Sequence, residues 1–553
     1  VELAWHSLQA DWGTIGVVLH TLLTLALVVR VLQQQRNNSV AIAWIAILFA
    51  LPMVGMVAYL LFGEVNIGRR YRKRSMTAQQ ILADFARSQA IDFSQQTQGL
   101  TDSATQISRL GFRKTGLGVY DGHTATLLTE SAAMFDHLLA DIQAAKQLII
   151  LEFYIIYPKG RVDDLLTALM AAAQRGVTCH ILADSVGSFD FFASSWVTRL
   201  RAAGVTVHES LPVGLFKTLV KRIDIRNHRK IAVFDGSIGY TGSFNLADPK
   251  VFKQNANVGQ WIDVLMRIET MPATADMPRV NVVQAMLLVA SADISAETQD
   301  NLSSLEQSIN QFTKRLYTAT TPESLSPSST LYVIARSHGD VPLPRDVVVT
   351  PAPDASNSAL AATPSRFAPV ENVALQLIPS APELTGHVIY ETLLSAIFSA
   401  RESVTITTPY FVPDTPLLIA LTTAAKRGIR VTLNLPKRVD SHLVHYASRA
   451  YYEPLLKTGV EIALFTGGLL HAKIVTIDDD YCLFGTVNMD MRSFYLNMEV
   501  SVAIYSPPLI AQITACQEHY LTHSERLTLS AWRQRGYVSQ LVDNGIRLLS
   551  PLL

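Results

Sequence analysis

The stretch His228-Arg-Lys-Ile-Ala-Val-Phe-Asp235, with Gly242-Ser-Phe-Asn245 behind it, has a counterpart later in this 553-residue chain. The counterpart is His471-Ala-Lys-Ile-Val-Thr-Ile-Asp478, followed by Gly485-Thr-Val-Asn488. Counted from either histidine, Lys follows at +2, Asp at +7, Gly at +14, Ser or Thr at +15 and Asn at +17. These five matched offsets, six positions with the histidine itself, indicate an internal duplication.

The duplication extends upstream of both histidines. The segment 172–177 parallels 424–429, and each lies between two apolar, β-like runs. A strand–helix–strand order that occurs twice is typical of an α/β sheet with helices on its faces. The fold class is therefore predicted as α/β, with two similar halves at 110–270 and 373–524 that pack with pseudo-two-fold symmetry.

The N-terminal region is predicted to be a transmembrane helical hairpin, residues 1–66. Neither 12–29 nor 40–62 contains a formal charge, and each is close to the roughly 20 residues that span a bilayer. A cleaved signal peptide or a buried core helix is the alternative. The basic connector 67–109 begins with five cationic residues between 69 and 74, which places the soluble part in the cytoplasm. These residues either attract anionic lipid as well or only set the topology.

Three further segments are assigned from composition and pattern. Residues 271–372 are predicted to be a partly disordered linker with a possible amphipathic helix near 282–316, and 525–553 a helical tail. The first half has an insertion at 211–222 that reads as an interfacial segment, the alternative being a helix packed on its own domain. Its predicted lipid contacts are Leu215, Phe216, Lys217, Leu219, Lys221 and Arg222.

The repeated residues predict one phosphodiester-binding site. A buried strand that holds a histidine and a lysine side by side needs an anion, and two such strands would surround a single pocket. The predicted catalytic set is His228, Lys230, Asp235, His471, Lys473 and Asp478, although the two aspartates are expected to fix the loops after the strands. Ser243, Asn245, Thr486 and Asn488 are the predicted phosphate-binding residues. Asp263 and Glu499 are the candidate carboxylates for orienting the imidazoles.

This inventory predicts a two-step transfer through a phosphohistidine. One imidazole attacks phosphorus while the other, protonated, gives its proton to the leaving alkoxide; the second then deprotonates the acceptor. We expect no metal, because a lysine two residues from each histidine would repel a cation. The three cysteines have neither metal-ligand nor redox spacing, and no cofactor is expected.

At these residues the chain resembles the phospholipase D superfamily, whose signature His-x-Lys-x4-Asp followed by Gly-Ser/Thr-x-Asn occurs twice. It is most similar to bacterial cardiolipin synthases of the two-span type, from the hairpin ending at Glu64 to the final Ser550-Pro-Leu-Leu. The resemblance implies an inner-membrane enzyme that condenses two phosphatidylglycerol molecules into cardiolipin and glycerol, with His228 as nucleophile and His471 as acid. An Asp-Trp element of the family appears here as Asp293-Ile, without the tryptophan. The geometry between the halves is therefore expected to differ from that of the family.

Two other functions stay open at this point. A phospholipase D-type hydrolase would use water as acceptor, and a non-catalytic membrane scaffold would be expected to lack a motif residue, which this chain does not. Equal numbers of basic and acidic residues, 46 of each, and the absence of a basic stripe with interleaved aromatics argue against nucleic acid as a partner. The predicted partners are anionic phospholipids; a homo-oligomer is possible but cannot be read from the sequence.

Overall fold

A computed structural model describes residues 2–34, 38–51, 53–64, 67–88, 97–213, 222, 224–270, 281–298, 365–382 and 387–547. The chain forms two compact units. Residues 1–69 with 213–225 make the smaller unit, and 70–212 with 226–553 make the larger one. The duplicated motifs all lie in the larger unit.

The smaller unit is an N-terminal group of helices. They are α1 (Glu2–Gln33), α2 (Asn38–Ala50) and α3 (Val54–Phe62). Within the described residues one segment, Thr14–Gln33, is long and apolar enough to cross a membrane. The uninterrupted second helix expected over 40–62 is instead divided between α2 and α3. The chain has Pro52 at this point, and proline lacks the backbone N–H that a continuous helix needs.

The first half of the larger unit alternates strands with helices, after the leading helices α4 (Arg69–Ser88) and α5 (Asp102–Thr115). Its strands are β1 (Tyr120–Leu128), β2 (Leu148–Phe153), β3 (Thr178–Asp184), β4 (Thr206–Ser210), β5 (Lys230–Phe234), β6 (Ile238–Gly242), β7 (Trp261–Ile262) and β8 (Leu265–Thr270). Its helices are α6 (Ser131–Ala144), α7 (Arg161–Gln174), α8 (Phe189–Phe192), α9 (Trp196–Ala202) and α10 (Val282–Glu297), with a 3₁₀ turn at Gln254–Ala256.

The second half repeats this order. Its strands are β9 (Val370–Ser380), β10 (Ser403–Thr407), β11 (Phe411–Val412), β12 (Arg430–Pro436), β13 (Glu461–Phe465), β14 (Leu469–Leu470), β15 (Ile474–Ile477), β16 (Tyr481–Gly485), β17 (Met489–Asp490), β18 (Glu499–Ile504) and β19 (Ser524–Leu527). Its helices are α11 (Val388–Ser399), α12 (Thr415–Lys426), α13 (His442–Arg449), α14 (Tyr452–Lys457), α15 (Met491–Tyr495), α16 (Pro507–Thr522), α17 (Leu529–Arg533) and α18 (Tyr537–Arg547).

Fifteen of these strands form one sheet that runs through both halves. The order is β19-β13-β12-β10-β15-β16-β18-β9-β1-β8-β6-β5-β2-β3-β4. The antiparallel pair β1–β9 lies in the middle, and the strand order outward from it is equivalent on both sides, apart from the extra β19. The predicted strand–helix–strand order of both halves is therefore confirmed.

Two predicted boundaries were wrong. The helix predicted near 282–316 is present as α10 over residues 282–297, but its apolar side chains are buried in the core against the sheet, so it belongs to the first half and not to a linker. The tail begins with strand β19, which pairs with β13, before α17 and α18 follow. The amphipathic character predicted for this helix was wrong, because a helix buried on all sides has no polar face. Of the predicted linker, 271–280 and 299–364 lie outside the described residues, and β9 already begins at Val370.

Candidate active site

The aspartate of each motif fixes a turn. The Asp235 carboxylate accepts hydrogen bonds from the backbone N–H groups of residues 146–148, each at 2.8 Å, where β2 begins. Asp478 accepts from residues 401–403 at 2.8–2.9 Å, where β10 begins. Both aspartates have positive φ, at 49° and 48°. They hold neighbouring strands in register at the end of the sheet away from the histidines, as their predicted loop-fixing role requires.

Each histidine meets the carboxylate of the other half. Nδ1 of His228 lies 2.9 and 3.0 Å from the two carboxylate oxygens of Glu499. Nδ1 of His471 lies 2.7 Å from Oδ1 of Asp263. All four side chains are buried. Asp263 and Glu499 are the carboxylates predicted to orient the imidazoles, and the structure pairs each of them with the histidine of the opposite half.

Backbone pairing between the halves produces this crossing. Strands β7 and β14 run parallel, and the His471 N–H donates to the carbonyl just before Asp263 (2.8 Å). The His228 N–H likewise donates to the carbonyl just before Glu499 (2.9 Å), where Asn227 and Met498 form a parallel bridge. The backbone just before each histidine is thus paired with the backbone just before the carboxylate of the other half.

The hydroxyls predicted to bind phosphate contact these carboxylates instead. Ser243 Oγ donates to Asp263 at 2.6 Å, and Thr486 Oγ1 donates to Glu499 at 2.5 Å. Each hydroxyl has one proton, so in this arrangement it supports the carboxylate rather than donating to a substrate. Among the predicted phosphate-binding residues, Asn245 accepts from a backbone N–H at 3.1 Å.

The fourth predicted phosphate-binding residue differs from its counterpart. The side-chain oxygen of Asn488 is buried and has no hydrogen-bond partner within the described part of the chain. The Asn488 side chain thus keeps an unused acceptor, whereas the Asn245 oxygen is bonded to the backbone N–H of residue 155. A direct phosphate contact stays a prediction for both asparagines.

The two motif lysines supply buried positive charge. Lys230 Nζ donates to the carbonyl of His228 (2.8 Å), and Lys473 Nζ donates to that of His471 (2.7 Å). Burial lowers the pKa of Lys230 to about 8, and burial together with the nearby Lys230 charge lowers that of Lys473 to about 7. An ammonium has three N–H donors, so each lysine retains donors for an anion. Binding an anion would favour the charged form of both.

The surroundings of both imidazoles lower their pKa values for the same physical reasons. Burial and then the charges of both lysines hold the pKa of His228 well below its ordinary value. Burial and Lys473 lower that of His471 to about 4, although Asp263 opposes the shift. Both lysine charges act on both imidazoles, so the four side chains together favour a negatively charged group.

The two carboxylates differ from each other. Burial raises the pKa of Glu499 to about 7. Burial would also raise the pKa of Asp263, but the neighbouring His471 and Lys473 outweigh it and hold the pKa below its ordinary value. The Asp263–His471 pair therefore stabilises an imidazolium better than the Glu499–His228 pair does.

A buried charged network beside the first motif was missed by the sequence analysis. The Arg229 guanidinium pairs with Asp293 of α10 and donates to the backbone carbonyls of Glu499 (3.1 Å) and Ser380 (3.0 Å). Burial and then Asp293 raise the pKa of the neighbouring Glu152 well above its ordinary value. The available signal was an arginine within an apolar strand, where the second motif has alanine.

Aromatic rings against both imidazoles were also missed. Tyr154 meets His228 edge-on, with ring centroids 4.9 Å apart, and Trp261 lies 4.3 Å from His471. These rings limit the orientations open to each histidine. No sequence signal distinguishes them from ordinary core aromatics. Of the predicted lipid contacts, Leu215, Phe216, Lys217, Leu219 and Lys221 lie outside the described residues, and Arg222 forms an ion pair with Asp224 (2.6 Å).

The comparisons with known proteins agree with this geometry. A family profile described as cardiolipin synthase, phospholipase D-like domain, matches residues 138–266 and 393–520. The chain is 35% identical to cardiolipin synthase A of Erwinia tasmaniensis over 536 residues, which is 96% of each protein. It is 36% identical to the Klebsiella pneumoniae relative over the same share of each. The chain belongs to the cardiolipin synthase family.

Two further matches extend the family assignment. A profile described as phospholipase D-nuclease N-terminal matches residues 22–64 of this cardiolipin synthase family member, which covers the N-terminal apolar helices. The crystal structure of phosphatidylserine synthase from Haemophilus influenzae covers 81% of this chain and all of its own, with a TM-score of 0.53 and 15% identity. That likeness concerns the fold alone.

Proposed function

We propose that this family member condenses two phosphatidylglycerol molecules into cardiolipin and glycerol through a phosphatidyl-histidine intermediate. The observation that carries the proposal is the pair of crossed imidazole–carboxylate contacts around two buried lysines. Because Nδ1 of each imidazole is held by a carboxylate, Nε2 is the nitrogen available to substrate. Two such nitrogens in an anion-binding pocket can attack phosphorus and protonate a leaving group.

The first step transfers the phosphatidyl group to the enzyme. Neutral His228 attacks phosphorus through Nε2, and the bond from phosphorus to the glycerol headgroup breaks. His471, whose low pKa the bound phosphodiester anion raises, donates a proton to the departing glycerol oxygen with the ionised Asp263 beside it. Lys230 and Lys473 balance the charge on the non-bridging oxygens. The lowered pKa of Asp263 and the raised pKa of Glu499 support this division of roles.

The second step transfers the group to another lipid. His471, now neutral, removes the proton from the glycerol hydroxyl of a second phosphatidylglycerol, and that oxygen attacks phosphorus. The bond from phosphorus to His228 breaks, and cardiolipin leaves. One phosphodiester replaces another, so no nucleotide or other activated donor is required.

Product analysis tests the function. Purified protein in phosphatidylglycerol vesicles without nucleotide should yield cardiolipin and free glycerol, and the His228→Ala and His471→Ala variants should make no cardiolipin. Phosphatidic acid and glycerol without cardiolipin would make the protein a hydrolase. With radiolabelled substrate, His471→Ala should retain phosphatidyl label and His228→Ala should not; the opposite pattern would exchange the two roles.

We propose the same organisation and location that the sequence predicts: a membrane hairpin at 1–66 and two catalytic halves, related by pseudo-two-fold symmetry, on the cytoplasmic side of the bacterial inner membrane. The equivalent strand order about β1–β9 and the crossed pairs support the symmetry. A thiol reagent that cannot cross membranes should label Gln35→Cys but not Phe398→Cys in spheroplasts with an intact inner membrane. Labelling of Phe398→Cys there would place the catalytic part outside.

A further inference from the structure

An apolar stripe runs along the outer face of the C-terminal helix α18. Its members are spaced by one helical turn and strongly exposed: Tyr537 (78%), Val538 (72%), Leu541 (60%) and Val542 (40%). Single exposed apolar residues are common on soluble proteins, but a contiguous group marks a surface that something covers. The opposite face of α18 packs on the protein, so these side chains are not exposed merely because the helix has come away from the fold.

Helix α18 is attached close to the active site. Asp543 pairs with Arg449 of α13 at 3.2 Å, and Ile546 packs on a cluster with Ala447 and Val412. Val412 lies in β11, and β11 pairs with β17, which directly follows the second motif. The stripe therefore belongs to the edge of the sheet where the histidines lie.

Other exposed apolar side chains occur at the same edge in both halves. Phe189 (68%) follows β3, Val251 (40%) follows the first motif, and Leu443 (40%) is in the first turn of α13. Parallel strands of one sheet end at the same edge, which puts the loops after β3 and β12 on this side. We call these residues and the α18 stripe together the apolar rim of the catalytic edge.

Basic side chains accompany the rim. Lys250 and Arg438 are exposed, and Lys253 pairs with Asp440 at 3.0 Å while its ammonium lies 5.3 Å from the Trp261 ring centre. Trp261 in turn contacts His471. Apolar side chains bordered by lysine and arginine are what an anionic bilayer surface accepts, since the chains enter the interface and the cations meet headgroups.

We propose that the apolar rim docks on the surface of an anionic bilayer, with α18 as an interfacial helix. Docking would put the pocket against lipid headgroups, so a phosphodiester can reach the histidines while its acyl chains remain in the membrane. The benefit of docking for catalysis rests on the proposed lipid substrate. The docking itself can be measured without turnover.

The test measures the depth of single residues in full-length protein reconstituted into phosphatidylglycerol-containing vesicles. A fluorescent label is placed on Leu541→Cys, and on Phe398→Cys as the matched control. Phe398 is similarly exposed (46%) but lies at the end of α11, just before β10, on the opposite edge of the sheet. The native cysteines at 179, 482 and 516 are buried, so the label reports the introduced thiol.

A nitroxide on the lipid chain near the headgroup should quench the label at 541 about threefold more than the label at 398, because an interfacial apolar face lies about 5–10 Å into the headgroup boundary. Equal quenching at the two positions overturns the proposal. Protection at 541 from both lipid nitroxide and aqueous iodide overturns it too, since another part of the protein or a second copy would then cover the stripe.

Activity gives a second readout. The Tyr537→Ser/Leu541→Ser variant removes exposed side chains, so its unfolding midpoint should match the parent while its turnover of phosphatidylglycerol in vesicles falls about tenfold. Phe398→Ser should show neither change. Full vesicle activity of the double variant would contradict docking through α18 even if cardiolipin is the product.

Discussion

Replacing Glu499 by Gln keeps the shape of the side chain and one acceptor oxygen but removes the negative charge beside His228. The structure has this carboxylate 2.9 Å from Nδ1, fully buried, and also bonded to Thr486. A hydrogen bond to a charged group contributes about 1.5–3 kcal/mol and one between neutral groups about 0.5–1.5 kcal/mol, so losing the charge should slow the step that needs His228 by about 5- to 15-fold. Asp263→Asn should act on His471 in the same range.

The crossed pairing can be tested with a leaving group that needs no acid. In a phosphatidyl ester of nitrophenol, the phenolate departs without a proton, so the first burst of nitrophenolate depends on the nucleophile alone. His228→Ala should abolish the burst and His471→Ala should retain it. From the crossed pairs we expect the burst of Glu499→Gln to be reduced as in His228→Ala, and the burst of Asp263→Asn to be retained as in His471→Ala. Glu525→Gln, an exposed carboxylate paired with Lys437, serves as the control.

The comparison does not depend on which histidine is the nucleophile. If His471 attacks instead, both alanine variants exchange their behaviour, and each carboxylate variant should still follow the histidine of the other half. The reasoning is refuted if Glu499→Gln groups with His471→Ala, because the carboxylates would then act within their own halves. Normal bursts in both carboxylate variants would refute it as well.

Three other results are expected. Asp235→Ala and Asp478→Ala should each lower the free energy of unfolding in denaturant by about 1.5–3 kcal/mol, through the backbone N–H groups they release; lost activity at unchanged stability would instead place these carboxylates in the reaction. Arg229→Leu should lower the free energy of unfolding by about 3–5 kcal/mol, because Asp293 stays buried without its cation. The Arg229→Leu/Asp293→Leu variant should recover most of that stability, and additive losses from the two single substitutions would contradict this. Because the pKa of Lys473 is lowered to about 7, its charge is lost as pH rises, so kcat/KM should fall above pH 7 and Lys473→Arg should extend activity to higher pH; an unchanged alkaline limb would contradict this.

Much of this protein could be predicted from the sequence because the decisive features are local and repeated. The offsets from His228 and His471 determined that there are two equivalent motifs, and alternating apolar runs determined an α/β fold. The turn-fixing role of Asp235 also followed from its position just after a strand. Such inferences need only the geometry of one or two neighbouring elements, which spacing along the chain encodes.

Only the tertiary structure decided which partners meet across long separations. Glu499 reaches His228 across 271 residues, because backbone pairing joins the two halves in a register that no local pattern encodes. The sequence indicated a helix near α10 but not that it packs in the core, because packing against the sheet is a long-range contact, and the pairing of Arg229 with Asp293 depends on where that helix packs. A duplicated motif specifies the components of each half-site, but the contact between the halves determines how they are combined.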